Sequence, residues 1–212
     1  KVITCITEHD AVLAARPDAE KIDVSADGEI NLVELETQIQ KAKNVGGEIV
    51  VSVMLVNNET GRIQPIEKLL EICQFYKVVF HSDMVQALGK IPIHLDKWSE
   101  YGLSMASFSA HKIGGPTGIG ALIIREDLSL EPIMVGGGQE RGKRSGTENL
   151  AGIAGFGAAA EACSKQEDAD KKIVHLRNYF EKAIITKVPS AKIIAQKQKR
   201  LDNTSAIFMP GL

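Results

Sequence analysis

Lys112 stands in "SFSAHKIGGPTGIGAL" (residues 107–122), with His111 before it and four glycines and a proline in the eight residues that follow. A lysine set just after a buried apolar run is costly unless its charge is neutralised or its pKa depressed, and an amine tuned in this way is a nucleophile for aldehydes. Other polar groups fall at the ends of apolar runs: His9 after "KVITCIT", Asn57 and Asn58 after "EIVVSVMLV", and Asp83 after "VVFHS", with Gln86 three residues on. An ionised Asp opposite a cationic ring nitrogen makes that ring an electron sink. A glutamine amide can donate to a phenolic oxygen, and Ser109 and His111 flank the lysine where a phosphate could be held. Singly, each signal is weak: a His-Lys pair is ordinarily a surface pair, an Asp at a strand end a cap, and "NNETG" a turn. Their order on successive run ends carries the reading, which is Schiff-base chemistry on pyridoxal phosphate.

The elements that must position these groups alternate along the chain. "KVITCIT", "AEKIDVS", "EIVVSVMLVN", "VVFHSD", "LSMASFSAH" and "GALIIRED" read as strands, several too continuously apolar to be half exposed. "DAVLAAR", "NLVELETQIQKAK" with Asn31 as N-cap, and "PIEKLLEICQFYK" opened by Pro65 read as helices. The glycine-rich connector "VGGGQERGKRSGTEN" leads to a small-residue helix, "LAGIAGFGAAAEACSK", then the amphipathic "DKKIVHLRNYFEKAIITKV", then short strands and turns. Strand and helix in alternation predict an α/β fold, a mostly parallel sheet with helices on both faces, and ligands at the carboxyl ends of its strands. The texture changes after about residue 165, so residues 1–165 are expected to form a large domain and 166–212 a connecting helix with the start of a smaller C-terminal domain. A basic cluster there (Lys192, Lys197, Lys199, Arg200) reads as a solvated face.

The chain has 212 residues, is 44% hydrophobic and carries a net charge of −2, which suits a globular protein and gives no electrostatic reason for nucleic acid or an anionic membrane. No apolar run reaches the roughly 20 residues that span a bilayer. Cys5, Cys73 and Cys163 have no metal-ligand spacing and read as reduced core or near-core thiols. His9, His81, His94, His111 and His175 are too scattered to form a zinc motif, and no metal site is expected. No G-x-x-x-x-G-K-[S/T] is present, and "GGGQERG" lacks the strand–turn–helix setting of a dinucleotide loop.

"TEHDAV", "VNNETGRIQPI", "HSDMVQALGKIPI", "SFSAHKIGGPTGIGAL" and "GGGQERGKRSGTEN" together resemble the cysteine desulfurases, class V aminotransferase relatives among the fold-type-I pyridoxal phosphate enzymes. The resemblance covers about residues 2 to 160. It implies Lys112 as the Schiff-base lysine and mover of the substrate's α-proton, His9 as ring-stacking and acid–base residue, and Asp83 as partner of the ring nitrogen. It implies Gln86 and Asn58 near the phenolic oxygen and substrate, Ser109 and His111 on the phosphate, and Thr147 reaching the phosphate in the neighbouring subunit of a homodimer. The implied reaction converts L-cysteine to L-alanine, with sulfur passed through an enzyme persulfide to acceptor or scaffold proteins for iron–sulfur or thio-cofactor assembly. A bacterial cytoplasmic setting is expected, an organellar one being the alternative. None of the three cysteines lies in a motif matching the family's nucleophile. The chain, which opens on Lys1 without an initiating Met, is read as a core lacking both ends, inactive in sulfur transfer by itself. A selenocysteine lyase or another class V enzyme is the nearest rival reading, and a catalytically silent dimerisation scaffold the rival of another class.

Overall fold

The computed structural model describes residues 1–163 and 169–211. Six strands form one sheet: β1 (Val2–Cys5), β2 (Glu20–Ile22), β3 (Val50–Ser52), β4 (Val79–Asp83), β5 (Leu103–Ser109) and β6 (Gly120–Ile124), in the spatial order β2-β1-β3-β4-β5-β6. The first five run parallel, and β6 is antiparallel to β5. The mostly parallel α/β sheet is therefore as the alternating pattern requires. β3 is short as a ladder, yet the chain stays alongside β4 beyond it, with Val53 N–H donating to His81 O at 3.1 Å and Leu55 N–H to Asp83 O at 2.9 Å. Residues 53 to 56 are all buried, which is why this stretch is apolar without alternation.

The helices are set by their caps and by one apolar face each. Asn31 caps α2 (Leu32–Val45), its side chain accepting from Glu34 N–H at 3.1 Å, and Leu35, Ile39 and Ala42 bury the face against the sheet. Each such leucine or isoleucine contributes about 2 kcal/mol by leaving water. Pro65 precedes α3 (Ile66–Tyr76), whose Ile66, Leu69, Leu70 and Cys73 are buried, and Lys77 in a left-handed conformation ends it. Short helices α1 (Asp10–Leu13) and α4 (Leu95–Glu100) complete this part, Trp98 anchoring α4. Beyond β6 come α5 (Leu150–Cys163), α6 (Ala169–Lys187) and the small hairpin β7 (Lys192–Ile193) with β8 (Ile207–Phe208). The expected boundary at 165/166 lies outside the described residues.

The strand order has a consequence for the site. From β1 the chain moves to one side, to β2, and then crosses to the other side, to β3. The strand order therefore reverses between β1 and β3, and in sheets of this kind ligands bind at the carboxyl edge of such a switch point.

The basic cluster is corrected in part. Lys192, Lys197 and Lys199 are exposed, but the Arg200 side chain is only 4% exposed and makes a two-pronged pair with buried Glu181, at 2.7 and 2.8 Å. A buried guanidinium needs such a carboxylate, and Glu181 lies on α6, too far along the chain for charge counting to reveal. Nearby, Ile63 N–H donates to Lys199 O and Leu201 N–H to Gly61 O, so the tail pairs with the turn after β3.

Candidate active site

The residues singled out by their types gather at the carboxyl edge of the parallel strands. β5 ends at Ser109 and runs straight into a single 3₁₀ turn, Ala110–Ile113, which carries His111 and Lys112. Gly114 closes the turn at φ 82° and donates its N–H to Ala110 O. Only glycine takes that conformation cheaply. Gly115 lies so near Ala110 that a Cβ there would come within 3.0 Å, and Pro116 packs on Gly155 of α5. The glycines thus fold the chain tightly back after Lys112, and the proline pins it. Ser109 Oγ and His111 Nδ1 are 2.9 Å apart. Lys112 itself is exposed, so the burial cost expected for it does not arise in this chain.

β4, the neighbouring strand, ends at Asp83, which is half-buried. Its Oδ1 accepts from Val85 N–H at 2.9 Å, which fixes the carboxylate across the turn. Asp83 and Ser107 of β5 are register partners, and Met84 N–H donates to Ser107 O at 3.0 Å, so the exits holding Asp83 and Lys112 are adjacent. Gln86 follows, half-buried, its Oε1 accepting from Lys90 Nζ at 2.6 Å.

β1 and β3 supply the other side. His9 is the N-cap of α1, its Nδ1 accepting from Ala11 N–H at 3.1 Å, which leaves Nε2 for other contacts. Asn58 is exposed. Asn57 is buried and fully engaged: Oδ1 accepts from Glu59 N–H, Thr60 N–H and Thr60 Oγ1, and Nδ2 donates to Thr7 O at 3.0 Å. It ties the β3 exit to the β1 exit across the switch point. Thr147, exposed in the segment before α5, makes no side-chain hydrogen bond to the other predicted residues.

Three features were missed by reading residue types. Glu8, beside His9, is 6% exposed; one oxygen accepts from Met54 N–H at 2.6 Å and the other has no partner. Burial pushes its carboxyl up to about 8, and the charge of Asp83 pushes the same way. His81 bridges Ser52 Oγ (2.8 Å) and Ser107 Oγ (2.7 Å), a polar strip across β3, β4 and β5 on the face that carries Asp83. Burial lowers the His81 pKa, against a smaller opposite pull from Asp83, so the ring is neutral, with one nitrogen donating and one accepting. Lys90 is the third. The available signals were an acid at the end of an apolar strand, a histidine inside one, and a lysine four residues after Gln86.

The three cysteines are free thiols. Burial raises the Cys73 thiol to about 12 and raises Cys5 as well, so neither is a thiolate at neutral pH. No helix among the described residues is long and apolar enough to cross a membrane.

A sheet of this order, with an amine and a carboxylate on adjacent exits, defines a fold-type-I α/β scaffold of the NifS-like kind. It superposes with a TM-score of 0.91 on a NifS-like protein from Rickettsia africae, 34% identical, all of this chain covering 58% of that one. A second NifS-like protein gives 0.86 at 36% identity, again with 58% covered. The aminotransferase class-V family model matches residues 1–212, and the chain belongs to that family. Among curated relatives, a cysteine desulfurase of Nostoc sp. is 37% identical over 214 residues, spanning 97% of this chain and 52% of the relative. The mitochondrial cysteine desulfurase of Arabidopsis thaliana is 43% identical over 180 residues, spanning 81% of this chain and 38% of the relative. The chain spans about half the length of the curated relatives it matches.

Proposed function

We propose that the whole protein is a pyridoxal phosphate-dependent cysteine desulfurase, converting L-cysteine to L-alanine and passing the sulfur to an acceptor thiol as a persulfide. The observation that carries this is the adjacency of the β4 and β5 exits, with a carboxylate on one and a lysine on the other. The residues fit the cofactor: Asp83 is the carboxylate at the β4 exit that would pair with a protonated ring nitrogen, and Glu8, which feels the Asp83 charge, keeps one buried oxygen without a partner.

When bound, pyridoxal phosphate supplies an electron sink for the bonds at the substrate's α-carbon. The chain's residues do the rest. Lys112 is the amine that would hold the cofactor, and it would move the proton at the substrate's Cα. Asp83 keeps the ring nitrogen's proton in place. His9, with Nε2 free, stacks on the ring and serves the acid–base steps. Gln86 and Asn58 border the phenolic oxygen and substrate, while Ser109 and His111 hold the phosphate. Thr147, which has no bond to its own chain's exits, reads as reaching the phosphate of a neighbouring subunit in a homodimer. Residues 1–165 are the cofactor domain and 166–212 the link to a second one. The buried Cys5 and Cys73 are unsuited to take sulfur from a substrate, and Cys163 lies at the end of α5. The free thiols and the bacterial relatives support a reducing, cytoplasmic setting.

The test is alanine release from L-cysteine by the full-length protein supplied with the cofactor, together with borohydride fixation and mapping of the labelled lysine. Alanine formation with the label on Lys112 is expected. A label elsewhere, or no alanine, overturns the reading.

A further inference from the structure

Gln86 can offer a ligand either its amide oxygen or its amide nitrogen, and the two give opposite chemistry. The structure decides between them through Lys90. Between Met84 and Ile91 the chain winds as a helical turn: Ala87 and Leu88 N–H donate to Met84 O, and Lys90 and Ile91 N–H to Ala87 O. Residues four apart on such a turn share a side, which brings Lys90 over Gln86. The Lys90 Nζ lies 2.6 Å from Gln86 Oε1. An ammonium has donors only, so the atom it meets must be the oxygen, and the nitrogen is what remains for the site.

The lysine is held from behind as well. Gly89, at φ 72°, lets α5 come so close that a Cβ there would sit 2.6 Å from Cys163 Sγ, and Ile113 of the Lys112 turn closes the same spot. The Lys90 backbone is thus clamped between α5 and the turn bearing Lys112. Its half-buried ammonium also feels the Lys112 charge: burial first, and then that charge, lower its pKa, while Cys163 pulls it the other way.

We propose that Lys90 is a positioning residue that locks the Gln86 amide so that its N–H, and not its oxygen, is presented to the bound cofactor's phenolic oxygen. This rests on the cofactor reading above. The role is distinct from simple charge attraction, because a cation near an anionic cofactor would act whether or not Gln86 were present.

The experiment uses the full-length protein and follows the visible absorbance of bound pyridoxal phosphate, both for affinity and for its dependence on pH. Lys90→Met is expected to weaken cofactor binding about tenfold, the loss of one charge-assisted hydrogen bond and the order it imposes. It should also move the pH midpoint of the absorbance by about half a unit or more. Lys90→Arg, which can still donate to Oε1, should recover most of both. Gln86→Ala should resemble Lys90→Met, and the double variant should lose less than twofold beyond Gln86→Ala alone. Equal and additive losses in the two backgrounds, or failure of Lys90→Arg to recover, overturn the proposal. So does unchanged binding and absorbance in Lys90→Met. If the wild-type protein binds no cofactor, the functional reading falls with it; if only the Lys90 variants behave as wild type, this inference alone falls.

Discussion

The exits of β1 and β3 and the exits of β4 and β5 are built on opposite plans. At the first pair the buried groups serve the fold: Asn57 makes four bonds within 3.1 Å to its own turn and to Thr7, and Glu8 braces Met54. At the second pair Ser109, His111 and Lys112 bond each other or nothing, and Lys112 and His111 are exposed. Apart from exposed His9 and Asn58, the first pair is scaffold, while the second carries the amine and the carboxylate. A substitution should therefore hurt stability on the first side and reactivity on the second.

The largest effect expected is at Lys112. In the full-length protein Lys112→Ala should cut turnover by about 10³ or more, in line with removal of a proton-moving group, while the melting temperature stays within a degree or two. Steady-state alanine release and a thermal melt separate the two. A large loss of stability would place Lys112 in the scaffold and blur the contrast.

Glu8 tests the other side through pH. In the folded chain its pKa is pushed to about 8, whereas unfolded it titrates near the ordinary carboxylate value of 4.5. Between those values the folded state holds the proton that the unfolded state releases, so stability is full below about pH 4.5 and declines as pH rises to about 8. The shift corresponds to a contribution on the order of 5 kcal/mol. Urea unfolding of Glu8→Gln at pH 5 and pH 9 should show most of that dependence gone. An unchanged slope would mean the carboxyl is solvated.

Asn57→Ala should cost about 2 to 3 kcal/mol, because it strips partners from part-buried backbone groups in two loops at once. Asn58→Ala, one residue on and exposed, should change stability by less than about 0.5 kcal/mol. Denaturant midpoints measured side by side give the sharpest version of the contrast. The smallest effect expected is at Thr147: Thr147→Ala should leave the fold untouched within about 0.5 kcal/mol, yet weaken cofactor retention in the full-length dimer. Retention measured by dialysis would check it.

Much of this was legible beforehand because strand ends in a parallel sheet are marked by where an apolar run stops. "VVFHSD" and "LSMASFSAH" announced Asp83 and Lys112 in that way, and Asn31 announced its helix by cap chemistry. What could not be read was which polar group faces inward. Asn57 and Asn58 are identical in type, and only the turn geometry sends the first into the scaffold and the second to solvent. Arg200 looked like part of a basic surface because its partner, Glu181, is brought to it by folding alone. Glu8 and His81 were hidden for a related reason: a polar residue at the end of an apolar run, or inside one, looks like noise until its neighbours on adjacent strands are known.

The pairing of Ile63 and Gly61 with Lys199 and Leu201 joins residues made early in synthesis to residues made more than 130 positions later. The turn that carries Asn57 can thus be sketched while the ribosome is still working, but its second row of partners does not exist until the tail has emerged. Loop closure over such a span is slow compared with local turns. The turn beside the candidate site is accordingly secured later than the strands beneath it.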